Sequence, residues 1–245
     1  QLFKENNLTP EDIKGKEDLY KIPVLTKEKA REVYKQMVSA DIEKMKVKRG
    51  KTGGTTGPPL PTYSGVQARS FVWGAFLRWY KWMGIEPGDH SIMLWGTPTV
   101  LSSSRLKRAK QNLAYWLLNN NVINAFRLNN ESIPGLIDTF NNKKPAFIRG
   151  YLSALTQIAN YANEHHIGIT SPKAISTTTE TLLPHLRELL TRTFNAPVYD
   201  QYGCGECESI AFECDAHEGM HITEEHVIIE AVNDQLETGQ QKGHA

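Results

Sequence analysis

The sequence contains no long hydrophobic run, few cysteines and almost no net charge. No apolar segment approaches the roughly 20 residues that a membrane-spanning helix needs, and the polar N-terminal stretch does not resemble a signal peptide. Lys and Arg number 28 against 27 Asp and Glu, a net charge of +1, which excludes a general basic surface for nucleic acid. Three cysteines in 245 residues make no disulfide framework. These absences predict a cytoplasmic protein that binds neither membranes nor nucleic acid.

The composition is that of a folded globular protein. Hydrophobic residues make up 40% of the chain and charged residues 22%, which excludes a disordered class. The length suits one large domain or part of a multidomain enzyme. The sequence has no initiator methionine and ends in the polar stretch "LETGQQKGHA". We therefore expect a piece of a longer protein.

Strand and helix patterns alternate along most of the chain. Predicted strands cover 91–95, 145–150, 172–177 and 196–201, and predicted helices cover 26–37, 65–83, 104–120, 152–166 and 182–194. Connections this long between strands predict an α/β fold, with a parallel sheet flanked by helices. After Glu208, "SIAFEC" and "HVIIEAV" are β-like with no helix between them, which predicts an added antiparallel segment near the C-terminus.

Two details of the predicted helices bear on packing. Thr26 and Ser64 stand where the N-caps of the first two helices are expected. Aromatic side chains surround much of the helix over 65–83, which predicts burial on more than one side.

Each of three predicted strands ends in a polar or glycine-bearing cluster. The clusters are Arg149–Tyr151, Thr177–Glu180 and Asp200–Glu206. Ligands of open α/β sheets bind at the carboxyl ends of the strands. The pattern therefore places the candidate site at this edge.

The segment "KTGGTTGPPLPTY", residues 51–63, is rich in glycine and hydroxyl groups. Such a loop offers backbone N–H groups to an anion. It is not the usual mononucleotide cradle, since Pro58 follows Gly57 and no Gly-Lys-Ser/Thr is present. A phosphate-binding loop and a flexible surface loop are both compatible with these residues. The basic run 44–51 is either a solvated loop or an electrostatic guide for phosphates.

Four motifs, read in order, resemble those of the adenylate-forming (AMP-binding) enzymes, in the branch of phenylacetate–CoA ligase and CapK-like capsular polysaccharide proteins. They are "TGGTTGPPL", "STTTETL", "YDQYGCGECESIAFEC" and "GMHITEEHVIIE". The resemblance implies that residues 1–245 are part of a large N-terminal domain that binds ATP and a carboxylic acid. Such enzymes form an acyl-adenylate and pass the acyl group to a thiol, commonly coenzyme A.

The resemblance also implies roles for individual residues. The β- and γ-phosphates of ATP would be held by Thr52, Gly53, Gly54, Thr55, Thr56 and Gly57. Adenine and ribose would lie against Thr178, Thr179 and Glu180, and the nucleotide wall would continue through Asp200, Gln201, Tyr202 and Gly203. Glu206 would help to hold Mg²⁺, since a carboxylate is a hard oxygen ligand. The alternatives are that Thr179 and Glu180 cap the following helix and that Glu206 is an exposed loop carboxylate.

The chain departs from the family pattern in three ways. Many relatives have lysine in place of Pro58, and threonine or serine in place of Gly205. The small C-terminal domain with its catalytic lysine is absent, so we predict negligible turnover by this chain alone. The departures support an alternative function, a non-catalytic nucleotide-binding protein of polysaccharide biosynthesis. Homodimers are common among relatives, and the residues do not decide this point.

All three cysteines fall in "CGECESIAFECDAHEGMH". Cys207, Cys214, His217 and His221 have spacings typical of tetrahedral Zn²⁺ sites, and Cys204 is set aside because it lies inside the nucleotide motif. The alternative is chance clustering of free thiols and surface histidines. A structural zinc site would also fit a third function, a zinc-binding interaction module. No histidine and acid pair is evident to activate a catalytic cysteine.

Overall fold

A computed structural model describes residues 2–52, 59–96 and 105–230. These residues form two compact units. The first comprises the described residues up to Val72 and from Glu224 onward, and the second comprises those from Trp73 to Thr223. In the described residues, no helix is both long and apolar enough to cross a membrane.

The first unit contains short helices and one hairpin. Helices α1 and α2 span Leu2–Glu5 and Lys27–Met37, and strands β1 (Lys48–Lys51) and β2 (Pro61–Ser64) pair antiparallel. The Thr26 hydroxyl accepts a hydrogen bond from the Lys29 N–H at 3.3 Å, which confirms Thr26 as the N-cap of α2. The hairpin was not predicted. It brackets the glycine-rich loop.

The second unit is an α/β sandwich built on one sheet. Its strands are β3 (Ser91–Trp95), β4 (Asn120–Asn124), β5 (Phe147–Tyr151), β6 (Ala174–Thr178), β7 (Val198–Tyr202), β8 (Ala211–Glu213) and β9 (Met220–Ile222). Its helices are α4 (Arg105–Leu117), α5 (Ile133–Lys143), α6 (Leu152–Glu164) and α7 (Pro184–Phe194), and α3 (Val66–Trp82) crosses the boundary between the units.

The sheet is mainly parallel, as the alternating pattern predicted. Its spatial order is β4-β3-β5-β6-β7-β8-β9. The first five strands in that order pair parallel, and β8 and β9 add to β7 antiparallel. The predicted fold class is therefore confirmed, including the antiparallel segment near the C-terminus.

The core lies between the sheet and its helices. Seven of its large apolar side chains are fully buried: Ile92, Leu94, Phe140, Ile148, Leu155, Ile158 and Phe194. Parallel strands are covered by helices on their faces and so carry nearly continuous apolar residues. The rigid core fixes the positions of the strand ends that build the candidate site.

Several local predictions were wrong. Ser64 does not cap α3, because the helix begins at Val66 and the Arg69 N–H bonds the Gly65 carbonyl at 3.2 Å. Within "HVIIEAV", residues 226–230 form no strand and 231–232 lie outside the described residues. Among the described residues, the last strand is β9 instead. Strand β4 and helix α5 were not predicted.

Helix α3 buries one face rather than several. Ala75, Phe76, Trp79 and Met83 are all less than 9% exposed, at the spacing of one helical stripe. Trp73 on another face is 58% exposed. The aromatic residues of α3 therefore include surface positions as well as core positions.

Candidate functional site

Three adjacent parallel strands bring the predicted clusters to one edge of the sheet. Strands β5 and β6 pair Tyr151 with Thr178, and β6 and β7 pair Thr177 with Asp200. The carboxyl ends of these strands thus lie side by side. The structure brings together the two predicted groups Thr178–Glu180 and Asp200–Gly203.

A strained residue directly follows β6. Thr179 has φ +78°, in a region that a β-branched side chain rarely adopts. Its hydroxyl donates to the Thr178 carbonyl, and Thr178 is 5% exposed. Such strain is found often at ligand sites, where the surrounding structure holds it.

Glu180 holds the start of α6. Its Oε1 accepts hydrogen bonds from the Ser153 hydroxyl at 2.7 Å and the Ser153 N–H at 3.3 Å. A carboxylate at a helix N-terminus is stabilised by the helix dipole. Glu180 therefore bonds the first turn of α6 rather than that of the following helix, α7, as the capping interpretation expected. The N-cap of α7 is Leu183, which has no side-chain hydrogen bond.

Asp200 is a partly buried carboxylate in the middle of β7. Its Oδ1 accepts from the Thr177 hydroxyl at 3.1 Å and from the Gln201 N–H at 2.9 Å. Burial raises the pKa of Asp200 against the opposing effect of these two hydrogen bonds. Perturbed pKa values of this kind cluster at functional sites.

The residues after Asp200 present an aromatic face and a close turn. Tyr202 is 56% exposed, so its ring is available to stack on a base. At Gly203 a Cβ atom would overlap the Glu208 carbonyl oxygen. Only glycine fits there, because the backbone of 203 and that of 208 approach each other closely.

A buried arginine lies beneath this edge. Arg149 on β5 is 8% exposed, and its guanidinium lies 4.6 Å from the Phe76 ring and 5.3 Å from the Trp95 ring. The guanidinium also forms a hydrogen bond with the Tyr80 side chain. Burial lowers the pKa of Arg149, yet the ordinary value is so high that the group stays charged.

Arg149 connects β5 to the turn after β7. Its Nη2 donates to Gln201 Oε1 at 2.5 Å, and Gln201 Nε2 donates to the Glu208 carbonyl at 3.1 Å. Gln201 is 5% exposed. We call these three residues the Arg149–Gln201–Glu208 relay. It holds the far end of the turn that contains Glu206.

A second buried charge lies on the antiparallel side of β7. Glu213 is 4% exposed. Its carboxylate accepts hydrogen bonds from both terminal nitrogens of Arg187, at 3.1 and 2.8 Å, and from the Asp200 N–H at 2.8 Å. Its backbone carbonyl accepts from Trp79 Nε1 at 2.9 Å. This bidentate pair fixes the backbone at Asp200.

Glu206 lies in an exposed turn between Cys204 and Cys207. Mg²⁺ in nucleotide sites is usually held by one or two carboxylates together with phosphate oxygens. A single exposed carboxylate fits a metal that arrives with a nucleotide. The exposed-carboxylate interpretation is equally compatible with its position.

The predicted zinc set is not assembled. Across residues 2–52, 59–96 and 105–230, no group of three or more His, Cys, Asp or Glu side chains could hold a metal ion. The His217 ring packs 4.8 Å from Tyr199 and its Nδ1 lies 3.4 Å from Glu213. The set failed because its members have other neighbours.

The other three residues of the predicted zinc set, Cys207, Cys214 and His221, do not come together either. The His221 ring lies 4.9 Å from the Trp82 ring. The Cys207 thiol contacts Cys204, and burial, with Cys204 and Glu206, raises the pKa of Cys207. Cys214 is a half-buried free thiol. Chance clustering is the interpretation that the structure favours.

Most of the glycine-rich loop lies outside the described residues. This applies to Gly53, Gly54, Thr55, Thr56, Gly57 and Pro58. Thr52 is described and is 6% exposed. Its N–H donates to the Leu60 carbonyl at 2.9 Å and its hydroxyl accepts from the Leu60 N–H at 3.0 Å. Thr52 therefore closes the base of the loop.

Sequence reasoning missed the buried pairs behind the site. Arg149 was noted only as part of a strand-end cluster, and Glu213 not at all. The available signal was a charge inside an apolar strand, in "FIRGY" and "AFE", because a charge there must find a partner. The identity of each partner was not in the local sequence.

Comparisons with known proteins place this geometry in context. No protein-family model matches the chain. The chain is 27% identical over 212 residues to the protein CapK of Staphylococcus aureus. The aligned region covers 84% of this chain and 45% of CapK. The resemblance to CapK-like proteins is thus confirmed by sequence similarity along most of the chain.

Two solved structures share the fold. A 2-hydroxyisobutyryl-CoA ligase, solved with 2-HIB-AMP and CoA, has a TM-score of 0.74 at 18% identity, covering 99% of this chain and 53% of the ligase. The anthranilate CoA ligase AuaEII, solved with anthranoyl-AMP, has a TM-score of 0.54 at 13% identity, covering 78% and 36%. The chain spans about half the length of CapK and of the first ligase. It has the fold of part of a CoA ligase.

Proposed function

We propose that this chain is the ATP- and carboxylic-acid-binding part of an adenylate-forming ligase, one that activates an acid as acyl-AMP for transfer to a thiol such as coenzyme A. The observation that carries the proposal is that Thr178–Glu180 and Asp200–Gly203 lie at the carboxyl-terminal parts of two neighbouring parallel strands, β6 and β7, which pair Thr177 with Asp200. The shared fold with ligases solved with acyl-AMP compounds supports it.

The chemistry suits this edge. A carboxylate is a poor electrophile, and joining it to AMP supplies a leaving group. The enzyme must hold the triphosphate and the acid in line and stabilise charge at the α-phosphorus. In the proposal Tyr202 stacks on adenine, Thr178, Thr179 and Glu180 line adenine and ribose, and Asp200, Gln201 and Gly203 continue the wall. Thr52 and residues 53–57 take the β- and γ-phosphates.

Magnesium would be held by Glu206 with the phosphates. The metal would neutralise phosphate charge and orient the triphosphate. This chain's own contribution is the exposed carboxylate in the 204–207 turn, positioned by the Arg149–Gln201–Glu208 relay. Within a longer enzyme, this chain would thus supply the part that binds the reactants. We propose that this chain alone has negligible turnover.

A specific observation also favours a second candidate. Gly205 stands in an exposed part of the turn and offers no hydroxyl to an α-phosphate. A protein that binds the nucleotide without adenylating an acid, within polysaccharide biosynthesis, would tolerate this. Pyrophosphate release by the longer natural protein, assayed with a panel of carboxylic acids, separates the two candidates.

Calorimetric titration of the chain with Mg·ATP tests nucleotide binding itself. The Tyr202→Ala variant should bind more weakly by about 1–3 kcal/mol, the usual contribution of an aromatic ring stacked on a base. Tyr20→Ala is the matched control, because Tyr20 is likewise an exposed tyrosine, at 64%, and the proposal gives it no role in the nucleotide site. Equal affinities for the two variants would refute the assignment of Tyr202.

A further inference from the structure

The turn after β7 contains two neighbouring thiols that the proposed function does not use. Cys204 is exposed and Cys207 is half-buried, and neither sulfur is in a disulfide. Their side chains hydrogen-bond to each other. The remaining cysteine, Cys214, lies beyond the end of β8.

The backbone of this turn suits a bond between the two sulfurs. The Glu208 N–H donates to the Cys204 carbonyl at 2.7 Å, and the Ser209 N–H donates to the Cys207 carbonyl at 2.6 Å. The first of these bonds closes one turn of α-helical type. Residues three apart in such a turn have Cα atoms about 5 Å apart, which lies within the Cα separation that disulfides span.

We propose that Cys204 and Cys207 form a reversible disulfide when the protein meets a hydroperoxide. The hydroperoxide oxidises the exposed Cys204 thiol to a sulfenic acid, and its O–O bond breaks to leave an alcohol or water. The Cys207 sulfur then attacks the Cys204 sulfur, the S–O bond breaks and water leaves. Two thiols and one hydroperoxide thus give one disulfide, one water and one alcohol or water.

This disulfide would regulate the candidate site, a consequence that rests on the proposed function. Glu206 and Gly205 are the two residues enclosed by the new ring, and Gly205 allows the backbone to adjust. The opposite end of the turn is fixed by the Arg149–Gln201–Glu208 relay. Closing the ring therefore moves the Glu206 carboxylate, and Mg·ATP binding weakens.

Mass spectrometry of the full chain tests the bond itself. After hydrogen peroxide and removal of excess oxidant, the chain should lose two hydrogens, peptide mapping should link Cys204 to Cys207, and dithiothreitol should reverse the change. Cys214→Ser is the matched control and should behave as the unchanged chain, whereas Cys204→Ser should form no such link. A chain that stays reduced, links Cys214, or gives only sulfinic acids would overturn the proposal.

Calorimetry of the reduced and oxidised chains tests the consequence. The oxidised chain should bind Mg·ATP roughly 10-fold more weakly, the size of effect seen when the partners of a metal ligand are disturbed. Equal affinity in the two states would refute regulation while the mapped disulfide stood. Absence of binding in both states would refute the proposed nucleotide function instead.

Discussion

Replacing Gln201 with leucine tests the Arg149–Gln201–Glu208 relay. The change keeps the approximate size of the side chain and removes both of its hydrogen-bonding groups. Gln201 is 5% exposed, and its side-chain amide accepts a hydrogen bond from Arg149 at 2.5 Å and donates one to the Glu208 carbonyl at 3.1 Å. Water cannot readily replace either partner in Gln201→Leu.

The expected loss follows from these two bonds. A hydrogen bond to a charged group contributes about 1.5–3 kcal/mol and a neutral one about 1 kcal/mol. Arg149 already has a buried Nε without a partner among the described residues, so the variant leaves a second part of the cation unsatisfied. Added burial of leucine carbon offsets part of this. We expect Gln201→Leu to lower the free energy of unfolding by about 2–3 kcal/mol.

Urea unfolding of the chain, followed by circular dichroism, measures this loss. Gln157→Leu is the matched control, because Gln157 is an exposed residue of α6 and surface changes of this kind stay within about 0.5 kcal/mol. A Gln201→Leu variant as stable as Gln157→Leu would refute the relay. A loss accompanied by a changed slope would indicate altered compactness rather than a lost contact.

Three further predictions concern the same edge of the sheet. Glu213→Gln should lower the free energy of unfolding by about 2–3 kcal/mol, less than the loss of a fully buried pair, because the Arg187 side chain is 30% exposed. The control Glu188→Gln, in an exposed ion pair, should cost under about 1 kcal/mol, and equal losses for the two variants in urea unfolding would contradict the prediction. Thr179→Gly should raise the free energy of unfolding by about 1 kcal/mol, because glycine adopts positive φ without strain, and a lower urea midpoint would show that the threonine is not strained. Asp200 has a raised pKa in the folded chain, so its contribution to stability is full below the unfolded pKa of about 4 and is lost as pH rises through the folded pKa. The urea midpoint of the unchanged chain should therefore fall over this pH range, and that of Asp200→Asn should lack this decline; parallel pH profiles of the two proteins would be evidence against the prediction.

The strands of the sheet were predictable because their local pattern is strong. "SIMLW" and "AISTT" are short runs bounded by turn residues, and the structure has strands there. Strand β4, "NNVIN", has only two apolar residues and lies at the sheet edge, where burial imposes little pattern. Helix α5 begins "IPG", so proline and glycine obscured its periodicity.

The site was predictable in its location and not in its internal contacts. Strand-end clusters point to one edge because parallel strands share a direction. That Arg149 reaches Gln201 depends on β6 lying between β5 and β7, which no local pattern encodes. The zinc prediction failed for a similar reason, because sequence spacing did not reveal that His217 packs against Tyr199.

Hydrogen exchange with and without Mg·ATP tests the central claim most directly, namely that the nucleotide lies at the carboxyl ends of β6 and β7. Saturating Mg·ATP should slow amide exchange in peptides covering 177–180 and 200–206, and should leave β4 and helix α5 unchanged. Binding measured by calorimetry without slower exchange in those two peptides would contradict the account.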